Sequence, residues 1–353
     1  MENLTFHKNF QLNGVSFTSK EELLSFSKTI NNSVFSFLSN WFNADDFVVV
    51  QTSGSTGKPK PIPLKKKHMV NSAEATGAFF NLKENTTALL CLSTDYIAGK
   101  MMLVRALALG WRLDVVEVVS NPLKGTDTVY DFSAMVPLQL RSSLGDIDKI
   151  KKLIVGGGVV GNDLIEAIQN KSTEIYATYG MTETITHIAV KKLNNVISND
   201  SEKPHYKALP NVQLSQDNRN CLVINAPKVA EEKIITNDVI RLISDTEFEW
   251  LGRYDNVINS GGVKLHSEKI EEKLSKIISN RFFVTGINDK KLGEKLILIV
   301  EGEKNDVISN EVKNLLGLTK YEIPKAIYFV GKFIVTETKK IQRKETLDLL
   351  GLL

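Results

Sequence analysis

Between an apolar run, Phe47-Val48-Val49-Val50, and an exit broken by Pro61 and Pro63 lies the stretch Gln51-Thr52-Ser53-Gly54-Ser55-Thr56-Gly57-Lys58-Pro59-Lys60. The apolar run predicts a buried strand. After it come four hydroxyl side chains and two glycines within six residues. Glycines let a backbone approach an anion and turn its N–H groups toward it. The hydroxyls add donors, and Lys58 and Lys60 add charge. A strand that ends in such a loop suits a polyphosphate. The pattern differs from the P-loop of common NTPases, which needs four residues between Gly and Gly-Lys-Ser/Thr. Here two residues separate Gly54 from Gly57, and Pro59 follows the lysine. A short Gly/Ser loop also reads as a solvated turn, and the full order Thr-Ser-Gly-Ser-Thr-Gly-x-Pro-Lys argues against that.

The chain has 353 residues, long enough for two unequal domains. Its 42% apolar and 24% charged residues are those of a globular protein. No apolar run approaches the roughly 18–20 residues that cross a bilayer. The start, Met1 to Lys8, lacks a basic segment followed by an apolar one, so no signal peptide is expected. Two cysteines outside any Cys/His cluster fit a reducing cytoplasm better than a disulfide framework or a zinc site. The net charge of +3 lies entirely after Arg253 and is far too small for a nucleic-acid footprint.

Predicted elements alternate. An amphipathic helix is expected over 19–39 with Ser19 as N-cap, then the strand and loop of 47–60, and a helix over 66–80. Strands over 87–93, 113–119, 151–158 and 173–178 follow, with helices over 99–109 and 161–169 between them. Glycines sit at strand C-termini. This is the layout of a layered α/β domain with its site at the strand ends. Strand-like segments dominate from 186 to 251 (186–191, 221–225, 233–236, 239–243 and 248–251), which suits a β-rich subdomain. After Gly252-Arg253-Tyr254-Asp255 a small α+β unit is expected: helix 267–279 capped by Ser267, strands 281–287 and 295–301, helix 305–316 and strand 326–330. The division is thus 1–252 and 253–353.

Further motifs lie in that frame. Tyr179-Gly180-Met181-Thr182-Glu183-Thr184 follows a strand; its hydroxyl and carboxylate suit a phosphate and a Mg²⁺, which takes one or two carboxylates plus phosphate oxygens. Gly156-Gly157-Gly158 ends another strand. Ile235-Thr236-Asn237-Asp238, the run from Leu251 to Lys264 with Gly261-Gly262 in it, and Thr336-Glu337-Thr338-Lys339-Lys340-Ile341-Gln342-Arg343 complete the set. Each alone also reads as an ordinary turn, a linker or a solvated Lys pair.

Together, and in this order, they resemble the signatures of the adenylate-forming superfamily: acyl-CoA synthetases, peptide-synthetase adenylation domains and luciferases. The resemblance runs from about residue 47 to 343. It implies that Thr52, Ser53, Gly54, Ser55, Thr56, Gly57, Lys58 and Lys60 cradle the phosphates of ATP. Thr182 contacts the nucleotide phosphate and Glu183 holds Mg²⁺. Gly157, Gly158, Tyr179 and Gly180 lie against the nucleotide and acyl groups. Asp238 holds the ribose hydroxyls and Arg253 reaches the nucleotide. Asp255 is the hinge of the small domain, and Gly262 and Lys264 line the coenzyme A channel. Lys340 bridges the substrate carboxylate and the α-phosphate.

The chain departs from the family pattern in several places. Asn237 replaces a glycine, a mild change if the position is left-handed. Lys339 stands where glycine is usual. Only 50 residues precede the phosphate loop, fewer than usual. Tyr96 stands where many members carry histidine. Within the superfamily the chain is most similar to the short o-succinylbenzoate–CoA ligases of menaquinone synthesis. That implies a small carboxylic acid joined to coenzyme A through an acyl-adenylate. Another aryl- or acyl-CoA ligase, a stand-alone adenylating enzyme and a nucleotide-binding scaffold without catalysis stay open. The acid pocket is expected along Tyr96, Gly99 and Lys100. Lys100 and Arg105 diverge by roughly 140° on a helix, so only one faces the site; Lys100, nearer the helix start, is expected to read a second carboxylate.

Overall fold

The computed structural model describes residues 6–51, 61–195, 204–336 and 341–352. The phosphate-loop residues 52–60 and the Lys339-Lys340 pair lie outside them.

One 13-stranded sheet organises the larger part. Its parallel half runs through Gln11–Leu12, Arg112–Val115, Thr87–Leu90, Tyr130–Met135, Ile150–Val155 and Glu174–Gly180. Helix Ile97–Leu109 makes one of the crossovers between these strands. It is apolar almost all round and buries Met101 to Leu107, as a helix packed on several sides must. Helix Lys66–Phe80 packs along it. His187–Lys192 then adds antiparallel to Glu174–Gly180, and antiparallel strands continue to the far edge. The β-rich subdomain expected from the sequence is therefore the other half of the same sheet.

Several boundaries differ from the sequence reading. The helix expected over 19–39 is two, Lys20–Ser27 and Asn32–Trp41. Asn31 breaks it: its side chain accepts the N–H of Val34 at 2.8 Å and starts the second helix. The strand expected to be buried, Phe47–Gln51, pairs with Pro61–Lys65 in a two-stranded sheet and leaves Phe47 and Val49 exposed. The two strands expected over 233–236 and 239–243 are one, Ile234–Leu242, with a register shift between Val239 and Ile240. Asn237 lies inside it and is absent from the positive-φ residues, so tolerance of a left-handed turn does not explain that substitution.

A second sheet begins at Val257 and comprises Val257–Ser260, Val263–His266, Phe282–Asp289, Gly293–Glu301 and Ala326–Val330. Helix Ser267–Leu274 covers it through Ile270 and Leu274. Its N-cap is His266; Ser267, expected to cap, instead donates its hydroxyl to the Asn256 carbonyl. Among the described residues no helix is long and apolar enough to cross a membrane.

Candidate active site

The C-terminal end of Glu174–Gly180 meets the far antiparallel strands at one carboxylate. Asp238 is 8% exposed. It accepts the Tyr179 hydroxyl at 2.6 Å and the Trp250 indole N–H at 3.2 Å. Arg253, paired in register with Asp238 across the two strands, brings Nε to 3.9 Å. Its other end lies 3.6 Å from Asp255. Burial pushes the Tyr179 phenol well above its usual range, and the charge of Asp238 adds to this. Tyr179 thus stays a donor that fixes one face of the carboxylate. Tyr206 and Phe248, stacked at 5.2 Å, form the wall behind it. Four residues named from the sequence, Tyr179, Asp238, Arg253 and Asp255, are therefore brought into one cluster. Each carboxylate oxygen has two lone pairs and one neutral donor, so Asp238 keeps acceptor capacity for hydroxyl groups.

Thr182 and Glu183 lie in the single 3-10 turn Thr182–Thr184 that follows. Thr184 braces the turn: its hydroxyl shares its one proton between the Met181 and Thr186 carbonyls and accepts the Met181 N–H at 3.0 Å. Ile185 next to it has φ +66°, a conformation a β-branched side chain resists. Such a residue costs on the order of 1–3 kcal/mol and persists where the surroundings enforce it. Gly180 is required by close approach, since a Cβ there would strike the Thr186 carbonyl. Glu183 is left exposed and without a partner among the described residues. A free carboxylate beside a hydroxyl is a hard-oxygen donor set that fits Mg²⁺. No group of three or more metal-binding side chains occurs among the described residues.

Gly157 closes the strand Ile150–Val155 with φ +77°; Gly158 meets only Pro137. Gly261 and Gly262, at φ +60° and +81°, form the two-residue turn between Val257–Ser260 and Val263–His266. Two left-handed residues in succession match the twist of a hairpin. A side chain at Gly262 would meet open space, and Lys264 is exposed on the same hairpin. The phosphate loop and Lys340 lie outside the described residues. On either side of 337–340, Val335 bridges Ile341, and Arg343 joins Glu271 at 3.0 Å.

The acid-pocket residues divide differently from the sequence reading. Tyr96 caps the Ile97–Leu109 helix and is 61% exposed. Gly99 is buried where a Cβ would strike the Ser93 carbonyl. Lys100 donates to the carbonyls of Thr94 and Asp95 at 2.7 and 2.6 Å and so holds the turn before the helix. Arg105 points elsewhere and is 1% exposed. Its contacts are the Thr76 hydroxyl at 3.4 Å, the Met102 sulfur at 3.7 Å and His187 Nδ1 at 3.5 Å. No carboxylate pairs with it among the described residues. Burial alone pulls the guanidinium down to about 9. His187 and Thr76 escaped the sequence reading, which had no spacing to join residues 111 apart.

His187 also borders a void of about 20 Å³, with Ser72, Ala75 and Val229 among its walls. A wider cavity of about 430 Å³ shares Asn71 and Lys228 with it and is lined by Lys65, Lys67 and His68.

The chain is similar to several known proteins. A protein from Dyadobacter fermentans, described as acyl-CoA synthetase (AMP-forming)/AMP-acid ligase II-like, is 36% identical; the match covers 95% of this chain and 99% of that one, with a TM-score of 0.62. The 2-succinylbenzoate–CoA ligase of Bacillus cytotoxicus is 25% identical over 87% of this chain and 71% of its own. The o-succinylbenzoate coenzyme A synthetase of Bacillus subtilis, solved with ATP and magnesium, shares the fold at a TM-score of 0.68 and 19% identity over 84% of this chain and 69% of that one. The model of the AMP-binding enzyme family matches residues 13–216. With more than half its length matched, the chain belongs to the AMP-binding enzyme family.

Proposed function

We propose that this chain is an ATP-dependent acid–CoA ligase of the cytoplasm that works through an acyl-adenylate and takes 2-succinylbenzoate as its acid. Family membership supports the adenylate chemistry. The buried Arg105, with no carboxylate partner among the described residues, is the observation that supports the acid. A buried cation without a counter-charge is costly, and an anionic substrate group supplies the missing partner. We assign that task to Arg105 in place of Lys100, whose ammonium is committed to two backbone carbonyls.

In the first half-reaction a carboxylate oxygen attacks the α-phosphorus of ATP and pyrophosphate leaves. Two anions must meet, so the protein's contribution is positioning and charge stabilisation. Asp238, held by Tyr179 and Trp250, takes the ribose hydroxyls. Arg253 reaches the nucleotide from the next strand. Thr182 donates to the phosphate, and Glu183 would hold Mg²⁺, whose charge offsets that of the phosphates. Lys340 brings a second cation between carboxylate and α-phosphate, and the 52–60 loop cradles the phosphate tail.

In the second half-reaction the coenzyme A sulfur attacks the acyl carbon and AMP leaves. The units 1–252 and 253–353 change their relative orientation about Asp255 between the halves, bringing the Gly262–Lys264 hairpin to the site. ATP–pyrophosphate exchange driven by 2-succinylbenzoate, followed by its thioester formation, tests this function. Absence of both with this acid overturns the choice of acid. Absence with every carboxylic acid overturns the ligase.

A further inference from the structure

We infer that His187 is a specificity-determining positioning residue: with Thr76 it seats the Arg105 guanidinium so that N–H groups stay free for the second carboxylate of a dicarboxylic acid. This rests on the reading of Arg105 given above.

The hydrogen bonds around Arg105 are consistent with a single arrangement of protons. The Thr76 hydroxyl donates to the Ser72 carbonyl at 3.0 Å. Its oxygen is therefore an acceptor toward Arg105 Nε at 3.4 Å and His187 Nε2 at 3.5 Å. His187 then carries its proton on Nε2, and Nδ1 accepts from the guanidinium at 3.5 Å. A neutral ring is required, because a protonated one has no acceptor. Burial, and then the charge of Arg105, hold its pKa well below the ordinary value. His187 and Thr76 are 5% and 0% exposed.

These contacts orient the guanidinium without saturating it. An N–H···O bond is typically about 2.7–3.2 Å long; the two to His187 and Thr76 are longer, and the third goes to a thioether at 3.7 Å. Of the five N–H groups of an arginine, three are engaged in this way. The remaining two, one on each terminal nitrogen, have no partner among the described residues. That is the number a carboxylate takes when bound at both oxygens. An acid facing Arg105 would saturate it and close the site to a second anion. A histidine held neutral supplies an acceptor with no charge and leaves the cation uncompensated. The same His187 ring also borders the void of about 20 Å³.

The test measures ATP–pyrophosphate exchange by the full chain at saturating Mg·ATP. The acids are 2-succinylbenzoate and 4-oxo-4-phenylbutanoate, which lacks one carboxylate; an inhibition constant replaces KM for an acid that is not turned over. His187→Phe fills the ring volume without the acceptor. It should raise KM for the dicarboxylate about tenfold, the scale of one hydrogen bond to a charged group, and leave the other acid and kcat within about twofold. His187→Gln, which restores a carbonyl acceptor, should recover most of that loss. Thr76→Val should move KM in the same direction as His187→Phe. Equal rises for both acids, or none, overturn the inference. Arg105→Met separates the two levels. If it shifts the ratio of the two acids and His187→Phe does not, only the role of His187 fails; if it shifts nothing, the reading of Arg105 fails with it.

Discussion

At the scale of single residues, free and paired charges do different work. Glu183 has no partner among the described residues, whereas Asp238 is held on both oxygens. Glu183→Gln should therefore raise the Mg²⁺ concentration that half-saturates adenylation about tenfold or more while the melting temperature stays within a degree or two, since the side chain is exposed. An unchanged Mg²⁺ titration would return Glu183 to a solvated turn. Lys340→Ala should cut acyl-adenylate formation by about 10²–10³, the scale of losing one transition-state charge contact, and spare thioester formation from supplied acyl-adenylate. If Lys339→Ala behaves so instead, the tail register is off by one. The sequence singles out Asp238, Tyr179 and Arg253 because each sits in a local motif, and the structure brings them side by side. The sequence favours Lys100 over Arg105, because Lys100 is nearer the helix start. Helical periodicity shows that the two diverge, but not that a turn of backbone carbonyls claims the lysine.

At the scale of elements, the sequence conveys the parallel half well, because short apolar strands alternate with helices and glycines. It conveys the ends poorly. Asn31 reads as one polar residue in a helical pattern until its side chain is seen capping Val34. The strand Tyr130–Met135 mixes Asp131 and Ser133 into an apolar run and was missed; both are hydrogen-bonded to Thr87 or to the Leu89 carbonyl of the neighbouring strand. The hairpin at Gly261-Gly262 was signalled by its turn residues. Gly262→Trp puts a large side chain into open space at φ +81°. It should lower thioester formation by about tenfold or more and leave pyrophosphate exchange within about threefold. Because a left-handed position disfavours any side chain, the melting temperature serves as a control, and equal loss of both halves would mark a folding defect.

At the scale of the whole molecule, the helix Ser267–Leu274 on the second sheet meets the large sheet's part of the chain along a polar seam. Lys269 of the Ser267–Leu274 helix lies 2.9 Å from Glu249 of the large sheet, and Asn162 donates to the Glu272 carbonyl and the Ser275 hydroxyl at 2.8 and 2.9 Å. Contacts of this kind are typically worth about 1 kcal/mol or less each, weak enough for a rotation to break. The double substitution Lys269→Ala and Asn162→Ala should speed proteolytic cleavage near 253–256 by about two- to tenfold; an unchanged rate would mean the seam does not hold the units together.

Under the proposed function, the buried Arg105 guanidinium, with no carboxylate partner among the described residues, selects a dicarboxylic acid for adenylation. ATP–pyrophosphate exchange with 2-succinylbenzoate and 4-oxo-4-phenylbutanoate, in the native chain and in Arg105→Met, tests it most directly. The expected result is a native preference for the dicarboxylate by about 10²-fold in kcat/KM, the scale of one desolvated charge pair, and its collapse to within a few-fold in the variant. Equal use of both acids by the native chain, or a preference that survives Arg105→Met, would contradict it.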